Sequence, residues 1–510
     1  MVWRISGGGA LWVVLLLGCA EAEPAGADGG TSRADTGSAD ARDATAPLDA
    51  TSAGDATAPL DATTAGDATA PLDATTAGDA TAPLDATSAA DAATSLDAAT
   101  ATDATVPADA GPIPDCALPG VRCVDDTAGP TQEYATIQAA ADAAGPGDSV
   151  LIFAGSYAGF QVDASGRANA PITFRAAEPG ARIDRDGPSG DGIRLQNVSY
   201  VAIEGLEIQD VTDRCIAARG ATPTSPMLGN VLRNNRCSRA GTECFYLSEL
   251  GQSLVEGNVI GGCGAGGGSR NHGIYLANAG SDGTTLRGNT IAGATPSESN
   301  GVHINGDLSV GGDGVISGLV IEGNIIFDNF QNGLNMDGVQ DSLIQNNLVF
   351  NNGRNAMRAY AIDGAAGPRD LRVVNNTFLA GGSGWALKIS EDGGGHTVFN
   401  NILSGTSGSL AVETTNLASN NNALDGVLSA DGEATTISLG GWQTATRQDA
   451  ESSAASAASL LTADHRLAAT SAAIDQGRPA LGAVTAPPTD LEGNPRPRRR
   501  GFDLGAFEAP

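Results

Sequence analysis

Gly273-Ile-Tyr-Leu276 and Gly301-Val-His-Ile304 are two copies of a short pattern that recurs about every 23 to 35 residues from Asp191 to Ile389. Each copy alternates apolar and other residues, as a half-buried β-strand does. A second recurring half ends in asparagine, as in Val255-Glu-Gly-Asn258. We expect these asparagines to be structural, with their amides stacked at one bend of each coil and hydrogen-bonded to one another and to buried backbone groups. A unit this short cannot bury its apolar side alone, so successive copies must stack. Two strands per repeat, with little helical periodicity, predict an all-β chain coiled into a single-stranded parallel β-solenoid.

A helix is predicted over residues 133–144, ahead of the repeats, because Ile137, Ala140 and Ala141 fall on one helical face. Gly145 and the residues after it stop the helix. A solenoid needs a cap over its first open coil, since exposed strand edges template aggregation. The helix is placed to be this cap.

Residues 134–157, which contain this helix, its Gly-Pro-Gly stop and a first strand, resemble the opening segment of the pectate-lyase-like superfamily. The resemblance implies a right-handed parallel β-helix, which we expect over residues 115–405. Residues 406–510 lose the repeat and resemble the closing segment of secreted bacterial β-helix proteins. They are expected to cap the far end of the solenoid.

Stacking turns each position of the repeat into a column of side chains spaced about 5 Å apart. The residue between the two apolar positions points outward, because its neighbours point into the core. The first outward file is Arg194, Ala217, Tyr246, Tyr275, His303, Asn335, Arg358 and Lys388. The second outward file is Gln196, Arg219, Ser248, Ala277, Asn305, Asp337, Tyr360 and Ser390. We expect this face either to carry function or to be the polar face that keeps the solenoid soluble.

The first outward file carries groups suited to proton transfer beside a carboxylate. β-Elimination or C5-epimerisation of a uronate-containing polysaccharide removes the proton next to the sugar carboxylate, which needs a cation, a base and an acid. Arg358 is expected to clamp the carboxylate. Lys388, beside that cation, is one candidate base. Tyr275 with His303 is the competing base and acid pair.

Other residues of the two files are expected to bind the sugar or a cation. Aromatic rings stack on sugars and amides hydrogen-bond to them, so the predicted substrate contacts are Tyr246, Asn335 and Tyr360. Hard oxygen ligands suit Ca²⁺, and the candidates, which are otherwise ordinary turn residues, are Asn305, Asp307 and Asp337. The files show no pair of facing carboxylates, which disfavours glycoside hydrolysis. The alternative function is a non-catalytic carbohydrate-binding or adhesion module with the same fold.

The net charge of −31 disfavours nucleic acid as a partner, because phosphate binding needs a basic surface. We expect a monomer. Beyond Cys19 the chain has six cysteines, and an exported protein is expected to pair them. Cys116 and Cys123 are predicted to form a local disulfide. Cys215 and Cys244 occupy equivalent positions one coil apart and are predicted either to pair, leaving Cys237 and Cys263, or to remain buried thiols.

The N-terminus reads as an export signal. An apolar run too short to cross a bilayer ends in Leu16-Leu-Gly-Cys19, which resembles the bacterial lipobox. Residues 1–18 would then be removed and Cys19 lipidated, placing the protein at the outer membrane or cell surface. An ordinary secretory signal with a chance cysteine is the alternative. Residues 19–114 are Ala/Asp/Thr/Pro repeats without aromatic residues, which predicts a disordered tether.

Overall fold

The structure is a computed structural model that describes residues 115–127, 132–414 and 416–510. The predicted signal segment, Cys19 and the predicted tether lie outside these described residues. In the described part, no helix is both long and apolar enough to cross a membrane.

Each coil of the chain contributes one strand to each of three long parallel sheets, which contain 12, 11 and 11 strands. Sheet A consists of Val121–Val124, Ser149–Ile152, Ile172–Ala176, Val201–Glu204, Val231–Arg233, Leu254–Glu256, Thr285–Arg287, Val320–Glu322, Leu343–Gln345, Arg372–Val374, His396–Phe399 and Leu417–Asn420. Sheet B consists of Gly155–Ala158, Ala181–Arg185, Glu207–Gln209, Arg236–Ser238, Val259–Gly261, Thr290–Ala292, Ile325–Phe327, Leu348–Asn352, Thr377–Ala380, Ile402–Ser404 and Ala423–Asp425. Sheet C consists of Phe160–Val162, Ile193–Gln196, Ile216–Arg219, Phe245–Ser248, Ile274–Ala277, Val302–Asn305, Leu334–Asp337, Met357–Tyr360, Trp385–Ile389, Gly408–Val412 and Leu428–Ser429.

The predicted parallel β-helix is confirmed, but each coil has three strands where the sequence pattern predicted two. Sheet B was missed although its strands are no shorter than those of sheet A. Its strands, such as Arg236–Ser238 and Ile325–Phe327, begin directly after the asparagine that the sequence pattern took as the end of a repeat half. Stacking also continues past residue 405, where Gly408–Val412 pairs with Leu428–Ser429 although the sequence pattern has been lost.

Shorter elements join the coils. Two parallel two-stranded pairs, one antiparallel pair and two 3₁₀ turns are formed by Met227–Leu228 with Leu250–Gly251, Ile316–Ser317 with Val339–Gln340, Ala480–Leu481 with Val484–Thr485, Pro188–Gly190 and Leu308–Val310. The helices are α1 (Ile137–Ala143), α2 (Leu439–Thr446) and α3 (Ala457–Leu460).

Helix α1 covers the first coil, burying Ile137, Ala140 and Ala141 against it. It begins later than predicted because Tyr134 bridges Val124 in an extended conformation. The side chain of Thr136 then accepts a hydrogen bond from the Ala139 N–H, which satisfies one of the free donors of the first turn. The cap is therefore shorter than the periodicity alone suggested.

An asparagine ladder lies at the corner between sheets A and B. The amide of Asn324 donates to Asn347 Oδ1 and to the Leu286 carbonyl, both at 2.9 Å, and its own oxygen accepts from Asn289. The same amide-to-amide bonds link successive coils through Asn235, Asn258, Asn289, Asn324, Asn347, Asn376, Asn401 and Asn422. The structural role predicted for these asparagines is confirmed, and Asn422 extends it by one coil.

The C-terminal segment closes the last coil and then runs back along the outside of this corner. Trp442 of α2 is fully buried in the end of the core. Four asparagines that each precede a ladder asparagine donate to backbone carbonyls of the returning segment: Asn346, Asn375, Asn400 and Asn421. All four have a positive φ, a conformation that asparagine tolerates. The C-terminal segment therefore both covers the last coil and binds along the outside of the corner between sheets A and B.

The six described cysteines form three disulfides. Cys116 pairs with Cys123. Cys215 pairs with Cys237, and Cys244 pairs with Cys263, across Cα–Cα distances of 5.9 and 5.2 Å. The predicted bond between Cys215 and Cys244 is wrong. Equivalent side chains of stacked strands run side by side, whereas the sheet B cysteines approach across the corner with the geometry that a disulfide requires.

Candidate functional site

Adjacent strands of sheet C bring the two outward files together in the predicted register. Consecutive partners in the first file are Tyr246, Tyr275, His303, Asn335, Arg358 and Lys388. Consecutive partners in the second file are Asn305, Asp337 and Tyr360. Residues spread over more than a hundred positions of the chain thus share one face.

Two of the three tyrosines of this face, Tyr246 and Tyr360, pack against arginines. The guanidinium carbons of Arg214 and Arg219 lie 4.8 and 4.6 Å from the centre of the Tyr246 ring. That of Arg358 lies 3.9 Å from the centre of Tyr360. Cations over a ring use the faces that a sugar would need for stacking. Arginine therefore packs on part of the surface that sugar stacking by Tyr246 and Tyr360 would use, and that stacking stays a prediction.

A hydrogen-bond chain runs beneath Arg358. Asn332 donates to Asn335 Oδ1 at 3.1 Å, and Asn335 donates to the Tyr360 hydroxyl at 2.8 Å. Burial raises the pKa of Tyr360 to about 12, and Asp337 adds to this effect. Tyr360 therefore remains a neutral phenol. Asn335 is only 5% exposed and its amide is used by the Tyr360 hydroxyl, so the predicted contact of Asn335 with substrate stays a prediction.

Two histidines and a tyrosine form a compact aromatic group in the middle of the first file. His272 Nε2 lies 2.9 Å from His303 Nδ1, and the Tyr275 ring stacks on His303 with centroids 5.1 Å apart. Burial lowers the pKa of His303 to about 4, and it lowers the pKa of His272 well below the ordinary histidine value. Both imidazoles are neutral at pH 7. His272 is not among the residues predicted for the site, and its position immediately before the repeat glycine Gly273 is the signal that could have found it.

Three buried polar atoms of this face have no hydrogen-bond partner among the described residues: Asn305 Oδ1, Asp337 Oδ2 and Arg358 Nε. The other carboxylate oxygen of Asp337 accepts from the Ile362 N–H at 2.8 Å. The amide of Asn305 donates to the Tyr275 hydroxyl at 3.1 Å. Buried polar atoms normally have partners, so these two acceptors and one donor on neighbouring strands are open to hydrogen bonds with a ligand or with water.

The carboxyl of Asp337 titrates near neutral pH. Burial raises its pKa to about 7, assisted by the negative charges of Asp363, Glu391 and Asp307 and opposed by the Ile362 N–H. A group with such a pKa can accept or donate a proton at pH 7. Sequence reasoning offered Asp337 only as a cation ligand, because burial cannot be read from its place in the repeat.

The candidate cation ligands fit Ca²⁺ in part. Asn305 and Asp337 each keep an unpartnered buried oxygen, the type of ligand that Ca²⁺ prefers. Asp307 differs, since its Oδ1 accepts the Ser309 N–H at 2.7 Å and caps a 3₁₀ turn. Two of the three residues are therefore suited to a cation, and Asp307 supplies charge beside them.

Lys388 is held by an ion pair that the sequence did not reveal. Its Nζ lies 2.8 Å from Glu433 Oε2, contributed by the segment that follows the last coil. The prediction considered only the neighbouring cation Arg358 as its electrostatic environment. To act as a base, Lys388 would first have to separate from Glu433.

Asp337→Asn is expected to stabilise the protein at pH 8 and to stabilise it by clearly less at pH 5. The folded-state pKa of about 7 lies above the unfolded value, so the native state keeps a proton that the unfolded chain releases. The stability linked to this proton is full at low pH and is lost as pH rises through 7. Asparagine removes that loss, on the order of 2–4 kcal/mol at pH 8.

Urea denaturation in EDTA at both pH values measures this effect. Asp142→Asn, on the exposed side of α1, is the matched control and should not change the pH dependence. Equal effects of Asp337→Asn at pH 5 and pH 8 would contradict a raised pKa.

A family described as the right-handed β-helix region matches residues 267–424. No curated protein matches the chain. Among solved structures, pectate lyase Pel9A has a TM-score of 0.51 at 18% identity, covering 76% of this chain and 96% of its own. An alginate lyase from Paenibacillus sp. str. FPU-7 has a TM-score of 0.39 at 17% identity, covering 58% and 95%. The A-module of Azotobacter vinelandii mannuronan C-5 epimerase AlgE4 has a TM-score of 0.36 at 16% identity, covering 58% and 84%.

At these identities the likeness concerns the fold. The matched region contains the face from Tyr275 to Lys388, so the candidate site lies on the part of the chain with a recognised architecture. The coil of three parallel sheets, the match and the superposition on pectate lyase agree. This chain is a right-handed parallel β-helix protein with a pectate-lyase-like fold.

Proposed function

We propose that the outward face of sheet C binds a uronate-containing polysaccharide and acts on it by β-elimination or C5-epimerisation. The observation that carries the proposal is the set of unpartnered buried atoms: Arg358 Nε as donor, with Asn305 Oδ1 and Asp337 Oδ2 as acceptors. Sugars present hydroxyl donors and carboxylate acceptors, which complement this set. The similar fold of a pectate lyase is consistent with the proposal.

Both reactions begin with removal of the proton at C5, beside the carboxylate. Arg358 stabilises the negative charge that develops on the carboxylate. Asp337, with a pKa of about 7, takes the proton. In β-elimination the C4–O bond breaks, a C4–C5 double bond forms and the leaving oxygen takes up a proton. In epimerisation a proton returns to C5 from the opposite side. Tyr275 and His303 are the candidate donors for either step.

The substrate carboxylates must approach a protein whose net charge is −31. When bound, Ca²⁺ would supply positive charge that offsets this repulsion and neutralises a substrate carboxylate. Asn305 would hold it through its unpartnered oxygen, with Asp307 beside it. Asp337 would not hold the cation while it serves as the proton acceptor, because a carboxylate bound to Ca²⁺ does not keep a pKa near 7. The local guanidinium of Arg358 is the other source of positive charge on the face.

A panel of uronate polymers tests the proposal, with the full mature protein assayed in excess Ca²⁺ and in EDTA. We expect one polymer to yield either an unsaturated product, seen by its ultraviolet absorbance, or C5-inverted residues, seen by NMR. Ca²⁺ should increase the rate. Absence of both products on every polymer would reject the catalytic function.

A non-catalytic carbohydrate-binding module is the second candidate. The observation that favours it is that four of the predicted site residues, His303, Asn335, Tyr360 and Lys388, already hydrogen-bond or form ion pairs with other residues of the protein. Saturable binding of a polymer without any product, unaffected by chelation, would support this function over catalysis.

We further propose that a lipid on Cys19 anchors the protein at the outer membrane or cell surface. The support is the order of apolar run, small residue and cysteine in the sequence. Cys19→Ala is expected to move the protein from the membrane to the soluble fraction, as measured by immunoblotting of fractionated cells. Cys116→Ala is the matched control and should stay with the membrane. Retention of the Cys19→Ala protein would place the anchor elsewhere.

A further inference from the structure

A second ladder of polar side chains lies at the corner between sheets B and C, directly behind the candidate site. Asn332 donates its backbone N–H to Asn300 Oδ1 at 3.0 Å, and Asn355 donates to Asn332 Oδ1 at 3.1 Å. His272 occupies the same position one coil earlier, where its Nδ1 accepts the Asn300 backbone N–H at 3.1 Å. His272 is therefore the first residue of this ladder, and asparagines occupy its position in the next three coils.

The hydrogen bonds of His272 determine where its proton lies. Its Nδ1 accepts a backbone N–H and therefore carries no proton. An imidazole holds at least one proton, so that proton is on Nε2. This Nε2–H faces His303 Nδ1 at 2.9 Å and can only donate to it. His303 Nδ1 is consequently an acceptor without a proton, and the proton of His303 lies on Nε2.

We infer that His272 is a positioning residue that fixes His303 in the Nε2–H tautomer, so that His303 acts as a hydrogen-bond donor to an acceptor oxygen of the polysaccharide. The ligand contact rests on the proposed function, whereas the tautomer rests on the geometry alone. Of the base and acid roles open to the Tyr275–His303 pair, the geometry points His303 to the donor role. The oxygen it meets belongs to a sugar hydroxyl, a glycosidic bond or a carboxylate.

The ladder itself does not require histidine at this position. Asn300, Asn332 and Asn355 all accept the next backbone N–H through an amide oxygen, and an asparagine at 272 would do the same for Asn300. What histidine adds is the Nε2–H that reaches His303. His272 is only 3% exposed, while His303 lies partly exposed on the outward face. The buried ring therefore orients the accessible one.

Long-range ¹H–¹⁵N NMR of the imidazoles in the full mature chain tests the tautomer without any ligand. The chain has four histidines, so a His303→Gln spectrum suffices to assign the His303 signals by difference. At neutral pH we expect His303 and His272 each to show an unprotonated Nδ1 and a protonated Nε2. A protonated Nδ1 on His303 would overturn the inference.

His272→Asn separates positioning from folding. Because the new amide can still accept the Asn300 N–H, the urea midpoint is expected to stay close to that of the wild type. The His303 Nδ1 signal should move toward the average of two exchanging tautomers. An unchanged His303 spectrum would show that His272 does not fix the tautomer. If the variant fails to fold, the wild-type spectrum still decides the assignment.

The ligand contact is tested on whichever polymer binds. His303→Gln keeps an N–H donor and should retain turnover or affinity within about tenfold, whereas His303→Leu should lose roughly 100-fold. Equal losses in both variants would overturn the donor role. If no polymer binds to the wild-type protein, the proposed function is rejected. The NMR spectrum still tests the His303 tautomer, because that measurement needs no ligand.

Discussion

Arg358→Ala is expected to lower kcat/KM on the uronate polymer by roughly 100- to 1,000-fold while leaving the fold intact. The guanidinium lies over Tyr360, and its Nε is buried without a partner in the described part of the chain. Alanine removes the cation that offsets the charge developing on the substrate carboxylate. The loss should therefore appear mainly in the rate. The measurement is steady-state kinetics, with thermal unfolding to confirm folding.

Two further variants make this result specific. Arg358→Lys keeps the charge but not the planar pair of donors, and we expect an intermediate loss. Arg287→Ala, on the outward side of sheet A beside Glu256 and Glu322, is the matched arginine control and should leave activity unchanged. Full activity in Arg358→Ala would mean that the fold is right and the site lies elsewhere.

Asn324→Ala is expected to destabilise the protein by about 3–5 kcal/mol. The side chain accepts from Asn289 and donates to Asn347 and to the Leu286 carbonyl, all within the buried corner between sheets A and B. Alanine would leave several of these groups without partners where no water can reach them. Buried unsatisfied groups carry their full desolvation penalty.

The control for this variant is Asn420→Ala. Asn420 also lies in sheet A, but it is partly exposed and hydrogen-bonds to Glu451 at the surface. We expect it to change the free energy of unfolding by no more than about 1 kcal/mol. Urea denaturation measures both variants. If Asn324→Ala costs no more than Asn420→Ala, the ladder amides contribute no more than surface hydrogen bonds.

Relations between equivalent positions of successive coils could be predicted from the sequence. Tyr275 was expected beside His303 and Arg358 beside Lys388, and the register of sheet C has both pairs. The asparagine ladder followed from the same periodicity. In a parallel sheet, equivalent residues of successive coils lie side by side. The repeat alone therefore determines which residues are neighbours along a file.

Relations between different positions of the coil could not be predicted in this way. His272 meets His303 around a corner, and Cys215 meets Cys237 across one. Neither contact follows from the repeat, because the corner geometry sets which side chains converge.

The sequence by itself determined the stacking of the coils, the outward face of sheet C and the composition of its two files, because strand periodicity and repeat spacing are local properties.

Only the tertiary structure decided the chemical state of that face. Burial and neighbouring acids bring the pKa of Asp337 to about 7. Glu433, outside the repeats, pairs with Lys388. The faces of Tyr246 and Tyr360 are used by arginines. Desolvation and charge pairing depend on everything that surrounds a group in space, and that arrangement exists only once the coils, their corners and the C-terminal segment have packed together.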